Sequence, residues 1–215
     1  MHSRFYNYAN LLIDNIEGGY YSPERHYSSA MGISGETMFG MDRRHGGKDV
    51  TDSVPGKKFW EIVDKNSASW AYCSKGGSQE KTLKKLAAEI MYLRYEKYFK
   101  EYLTKKAQKK VSKNPHLEIH FFYGCWNGVV WFKKFAEAIN NAVDKGVKDL
   151  ETVAINSRKN SGNSLIAKGG EKMQKLFSML KIKKGGKILL VCILLGGAGF
   201  GGYKLYNYLK ATKGR

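Results

Sequence analysis

Proline is nearly absent from this chain, with three in 215 residues, and cysteine is as scarce. Cys73, Cys125 and Cys192 are odd in number and lack Cys-x-x-Cys spacing, which argues against a disulfide framework and a thiolate zinc site. At most Cys73 and Cys125 could pair, and Cys192 lies in an apolar run and reads as packing. Acidic residues are also short, 19 against 37 Lys and Arg, for a net charge of +18. That balance points to anionic surroundings: nucleic acid, an anionic lipid surface, or a cell wall rich in carboxylates and phosphates. No phosphate-cradling loop or dinucleotide fingerprint is present. His116 and His120 flank Glu118, but a zinc protease needs the glutamate directly after the first histidine, so neither metal nor cofactor is implied. The N-terminus has no continuous apolar core, because Asp14 and Glu17 interrupt it, and no cleaved export signal is expected.

Aromatic residues are plentiful instead, with 14 Tyr, 10 Phe and 4 Trp. With so little proline they favour a compact, mainly helical domain with ring-lined surfaces. Phe5, Tyr8, Leu12, Ile13 and Ile16 recur at spacings of three and four, which predicts a helix with one apolar face. Gly18 and Gly19 end it. Glu17 is thereby presented in the last turn, where the helix dipole is negative and does nothing to hold a carboxylate charged. Apolar walls there would raise its pKa, as a general acid requires. The plainer alternative is a solvated helix-end glutamate before a glycine cap.

Beyond this turn, residues 20–53 are rich in Gly, Ser and Tyr and read as short strands and turns. A short helix is expected over 56–66, a loop over 67–78, and one long helix over 79–111 buried along Leu83, Leu86, Ala87, Ile90 and Leu93. Over 81–113 the chain carries far more Lys and Arg than Glu, and Asn114-Pro115 stops the helix. An apolar segment at 116–123 and helices over 127–144 and 147–158 complete a domain of residues 1–158. Residues 159–170 are polar and breaker-rich and read as a linker. Residues 171–187 form a basic amphipathic segment striped by Met173, Leu176, Phe177 and Leu180. An uncharged run then starts at Ile188. Snorkelling by Lys187 and Lys204 extends it to a transmembrane helix over 188–209, close to the ~20 residues a span needs. Gly197 and Gly201 offer a face for helix–helix self-association.

Two stretches carry a family resemblance. Glu17-Gly18-Gly19-Tyr20, with Gly32-Ile33-Ser34 after it, resembles glycoside hydrolase family 108, lysozyme-like muramidases of phages and bacteria. Tyr123-Gly124-Cys125-Trp126-Asn127-Gly128, followed by a helical Lys134-Phe135-Ala136-Glu137-Ala138-Ile139, is similar to that family's C-terminal half. The resemblance covers roughly residues 3 to 158. It implies a mainly α, lysozyme-like α+β fold with a small β-lobe opposite the acid-bearing helix, and it makes Glu17 the catalytic acid. Where the family carries Asp-Pro-Gly-Gly, this chain has Ser22-Pro23-Glu24-Arg25, so the resemblance supplies no second carboxylate. A divergent branch or a lytic transglycosylase fits that departure.

Glycosidic hydrolysis needs a protonated acid and a second carboxylate or a positioned water. Asp42 and Glu36 qualify as second carboxylates because they lie in the expected β-lobe, Asp42 being favoured by the Phe39-Gly40-Met41 run before it. Sugar binding needs aromatic faces and amide groups, which Tyr20, Tyr21, Tyr123, Trp126 and Asn127 could supply. Trp60, Trp70 and Trp131 read as core, and His26 and His45 as loop or substrate-contacting residues. The expected function is a peptidoglycan-degrading muramidase or lytic transglycosylase, anchored in a membrane through 188–209 and carried by a phage virion to open the host wall. Glycan strands are its expected partner. The rival is a non-enzymatic, membrane-anchored basic protein binding nucleic acid or anionic lipid, which leaves the Glu-Gly-Gly-Tyr motif without a role.

Overall fold

In the computed structural model, residues 3–17, 20–21, 27–28, 33–34, 36–44, 46–66 and 77–180 are described. They form a mainly helical fold. Helix α1 (Ser3–Asn15) buries Phe5, Tyr8, Leu12 and Ile13 and packs on α4 (Glu80–Tyr102), and α3 (Val54–Asn66) packs on α4 as well. The two-residue strands β1 (Tyr20–Tyr21), β2 (Tyr27–Ser28), β3 (Ile33–Ser34), β4 (Thr37–Met38) and β5 (Met41–Asp42) lie between α1 and the short α2 (Lys48–Thr51). Strands β1, β4 and β5 make one antiparallel sheet in that order, and β2 pairs with β3.

Helix α6 (Pro115–Gly124) is apolar on nearly every side because it lies in the middle. Its neighbours are α1, α4, α5 (Lys105–Ser112), α7 (Val129–Asp144) and α8 (Leu150–Lys159). Asn114 caps it by accepting from Leu117 N at 3.1 Å, and Pro115 occupies the first turn, where no N–H is needed. The one carboxylate on this helix, Glu118, is buried but saturated. It accepts from Arg4 Nε at 3.1 Å, Tyr8 Oη at 2.9 Å and Tyr95 Oη at 3.2 Å, as a buried charge must be. Arg94, buried on α4, donates to Cys125 O at 2.9 Å, to the Asp49 carboxylate and to Gly46 O, and so ties the segment after the small sheet to the helices.

Two expected boundaries are corrected. The helix expected over 79–111 breaks at Leu103–Thr104, where Leu103 is extended and Thr104 caps α5. Asn140 of α7 satisfies the break, donating to Tyr102 O at 2.9 Å and accepting from Thr104 N at 3.0 Å. The linker expected over 159–170 shrinks to a turn at 160–163, and α9 (Ser164–Leu180) follows at once. Met173 and Leu176 of α9 are buried, so the part of the basic amphipathic segment it contains belongs to the core. The membrane span expected over 188–209, with Gly197 and Gly201, lies outside the described residues, as do Cys73, Cys192, Trp70, His26 and His45. Among the described residues no helix is long and apolar enough to cross a membrane.

Candidate active site

Glu17 stands two residues past the end of α1, just beyond the last turn in which it was expected. Ile16 N and Glu17 N both donate to Leu12 O, at 2.8 and 3.0 Å, so the chain closes the helix before the side chain leaves it. The β4–β5 hairpin reaches the same point. Its two-residue turn, Phe39-Gly40, has φ of 51° and 73°, as a hairpin turn that matches strand twist requires. A Cβ at Gly40 would stand 2.2 Å from Glu17 Oε2, so only glycine leaves the carboxyl its place. Trp126 anchors the tip by donating its indole N–H to Phe39 O at 3.0 Å.

A cavity of about 280 Å³ opens there, lined by Ile16, Glu17, Gly40, Tyr123, Trp126, Asn127, Lys168, Gly169 and Lys172. Tyr123 comes from the last turn of α6, and Trp126 and Asn127 from the 3-10 turn Cys125–Asn127 that follows it. Helix α9 forms the remaining wall. A Cβ at Gly169 would approach Tyr123 Oη to 2.5 Å, and one at Gly170 would approach Arg158 Cβ to 3.0 Å. The glycine pair that looks like a breaker is therefore the flat face on which α9 meets α6 and α8.

Burial is the dominant influence on Glu17 and lifts its pKa from 4.5 to about 7. The Tyr123 hydroxyl, the Lys172 ammonium and the Arg158 guanidinium each act in the opposite direction and keep the rise from going further. Tyr123 is itself raised, first by burial and then by the Glu17 charge. Arg158 is fully buried and held down to about 10 by burial. It donates to Asn127 Oδ1 at 2.7 Å and His120 O at 3.0 Å, and its guanidinium lies 4.6 Å from the Tyr123 ring centroid. It thus holds both the amide and the ring that flank Glu17. His120 is buried and held neutral, its pKa falling to about 3, chiefly by burial.

Four of the expected residues, Glu17, Tyr123, Trp126 and Asn127, share this cavity. Glu36 and Asp42 do not line it. Glu36 accepts from Arg43 Nη1 at 2.9 Å, and the same guanidinium grips Asp64 of α3. Asp42 Oδ1 accepts from Arg44 N at 2.8 Å in the turn after β5. Each carboxylate is engaged locally, and it is the hairpin's turn, not its strand, that meets Glu17. Tyr20 and Tyr21 belong to β1 by their backbone pairing with Met38 and Thr37, and their side chains lie outside the description. Trp60 and Trp131 are buried. His116 Nδ1 is paired with Glu151 Oε2 at 3.3 Å, and Cys125 is a free, buried thiol. No group of three His, Cys, Asp or Glu able to hold a metal exists among the described residues.

Sequence reasoning missed Gly40, Arg158, Lys168, Gly169 and Lys172. A two-residue Phe-Gly turn between Met38 and Met41 was a signal for the first. The Met173–Leu176 stripe, continued backwards, was a signal for the α9 residues. No protein family, curated protein or solved structure matches the chain.

Proposed function

We propose that this protein is a lysozyme-like glycosidase that cleaves peptidoglycan, with Glu17 as its general acid. The observation that carries the reading is a carboxyl whose pKa burial lifts to about 7, in a cavity walled by Tyr123, Trp126 and Asn127. Near neutral pH a large share of Glu17 holds its proton. It can give that proton to the glycosidic oxygen as the bond to the anomeric carbon breaks. Trp126 offers its ring to the sugar, the buried Tyr123 its hydroxyl beside Glu17, and Asn127 an amide fixed by Arg158.

Glu17 is the one carboxylate among the described residues lining the cavity. That favours a lytic transglycosylase over a two-carboxylate hydrolase. After protonating the leaving oxygen, Glu17 is a carboxylate. It then takes the proton from the 6-hydroxyl of the muramyl ring as that oxygen closes on the anomeric carbon. The acid is regenerated, a 1,6-anhydro end forms and no water is consumed. In a hydrolase a water attacks instead and leaves a reducing end. Residues 188–209 as a membrane anchor would make this a tethered wall-degrading enzyme, carried by a phage virion and used when the host wall is first opened.

Purified peptidoglycan incubated with the full chain and with Glu17→Gln, its products identified by mass, tests the reading. Glycan fragments released by the parent alone support it, and anhydro ends assign the transglycosylase. A folded parent that releases nothing overturns it.

A further inference from the structure

We propose that α9 makes the Glu17 cavity selective for an anionic glycan, with Lys168 and Lys172 receiving a carboxylate borne on or beside the sugar. This rests on the glycosidase reading and adds the residues that select its substrate by charge. The two lysines are four residues apart on one helix, so their side chains share a face, and both line the cavity. Lys172 Nζ donates to Ile16 O at 3.0 Å, which fixes an ammonium beside residue 17 and leaves two further donors for a ligand. Both side chains are exposed. Among the described residues no salt bridge engages either lysine. Their helix does not slide freely, because Met173 and Leu176 are buried and Gly169 and Gly170 fit against Tyr123 and Arg158.

The charge balance decides which glycan this wall suits. When Glu17 carries its proton, as the acid step requires, the described residues lining the cavity include two ammonium groups and no carboxylate, with the Arg158 guanidinium against the Tyr123 ring. A neutral glycan leaves that field unanswered. A sugar with a lactyl ether or a stem-peptide carboxylate answers it, and does so close to the scissile bond. The overall charge of +18 draws any polyanion towards the protein, and among the described residues these two lysines are the cations that line the cavity.

The test uses the full chain in the Glu17→Gln background, so that binding is measured without cleavage. Two probes are titrated by calorimetry: a tetrasaccharide alternating N-acetylglucosamine with N-acetylmuramic acid, its lactyl carboxylates free, and neutral chitotetraose. Exposed ion pairs are worth up to about fivefold each, so Lys168→Met with Lys172→Met should weaken the anionic probe about tenfold at low salt. Chitotetraose should change less than about twofold, and Lys168→Arg with Lys172→Arg should restore most of the affinity for the anionic probe. Equal weakening of both probes, or of neither, overturns the proposal and leaves the glycosidase reading standing. Failure of both probes to bind the folded protein overturns the two together.

Discussion

Substituting alanine for Gly40 probes the contact on which the site is built. Two costs are expected, and the structure contains a control that separates them. Gly40 has φ +73° and Gly162 has φ +72°, so a side chain at either meets the same backbone penalty, about 1–2 kcal/mol. At Gly162 nothing lies within 4 Å of the added Cβ. At Gly40 it meets Glu17 Oε2 at 2.2 Å and Glu17 Cδ at 2.6 Å. Gly162→Ala should therefore lower Tm by a few degrees, at roughly 2–4 °C per kcal/mol for a chain of this size, and leave activity intact. Gly40→Ala forces one of two movements. If the hairpin backs away, it stretches the Trp126–Phe39 hydrogen bond, worth about 1 kcal/mol. If Glu17 swings into solvent, its pKa falls back towards 4.5 and the acid form vanishes at neutral pH. Thermal unfolding of both variants, with activity followed from pH 4 to 9, reads out each cost. The reasoning is refuted if the two variants match in Tm and in pH profile.

Glu17→Gln should change how stability depends on pH. Raising the folded pKa from 4.5 to about 7 means that the folded carboxyl keeps its proton where the unfolded one has lost it. Stability is therefore full below pH 4.5 and declines as pH rises through 7, by up to about 3 kcal/mol. The glutamine variant escapes this decline, so urea unfolding should find it more stable than the parent at pH 8.5 and nearly equal at pH 4. A difference that ignores pH would contradict the buried acid. Tyr123→Phe removes a hydroxyl that stabilises the Glu17 charge, so the alkaline limb of the pH–rate profile should move to higher pH. A shift to lower pH would contradict that role. Glu36→Gln and Asp42→Asn should keep activity close to the parent's, since neither carboxylate lines the cavity. A loss of several orders of magnitude in either would put a second carboxylate at the reaction centre.

Local signals carried much of the architecture. The stripe from Phe5 to Ile16 gives α1 and puts Glu17 at its end, and the Asn114-Pro115 pair gives the start of α6 as well as the end of the helix before it. Grouping Tyr123, Trp126 and Asn127 with Glu17 came from chemistry and from the family resemblance, because the two stretches lie some hundred residues apart. What stayed hidden depends on contacts remote in sequence. Nothing local marks the break at Leu103 except Thr104's capping preference, because the groups that hold it open come from Asn140 on α7. Gly169-Gly170 reads as a linker on propensity, since glycine disfavours helix by about 1 kcal/mol, yet packing against Tyr123 and Arg158 outweighs that cost. Glu36 and Asp42 do fall among the short strands, between β3 and β4 and in β5. Whether a strand carboxylate faces the cleft or an arginine depends on Arg43, and Arg43 is committed to Asp64 on α3.

Direct titration of the Glu17 carboxyl is the most searching test of the central claim. The protein would be labelled with 13C at glutamate side-chain carboxyls and followed by NMR from pH 3 to 9, with Glu17→Gln identifying the resonance. The cavity predicts a midpoint at about 7, carried by burial of the carboxyl beside Ile16, Gly40 and Tyr123. A midpoint near 4.5 would make Glu17 a solvated helix-end glutamate and remove the acid on which the proposed chemistry depends.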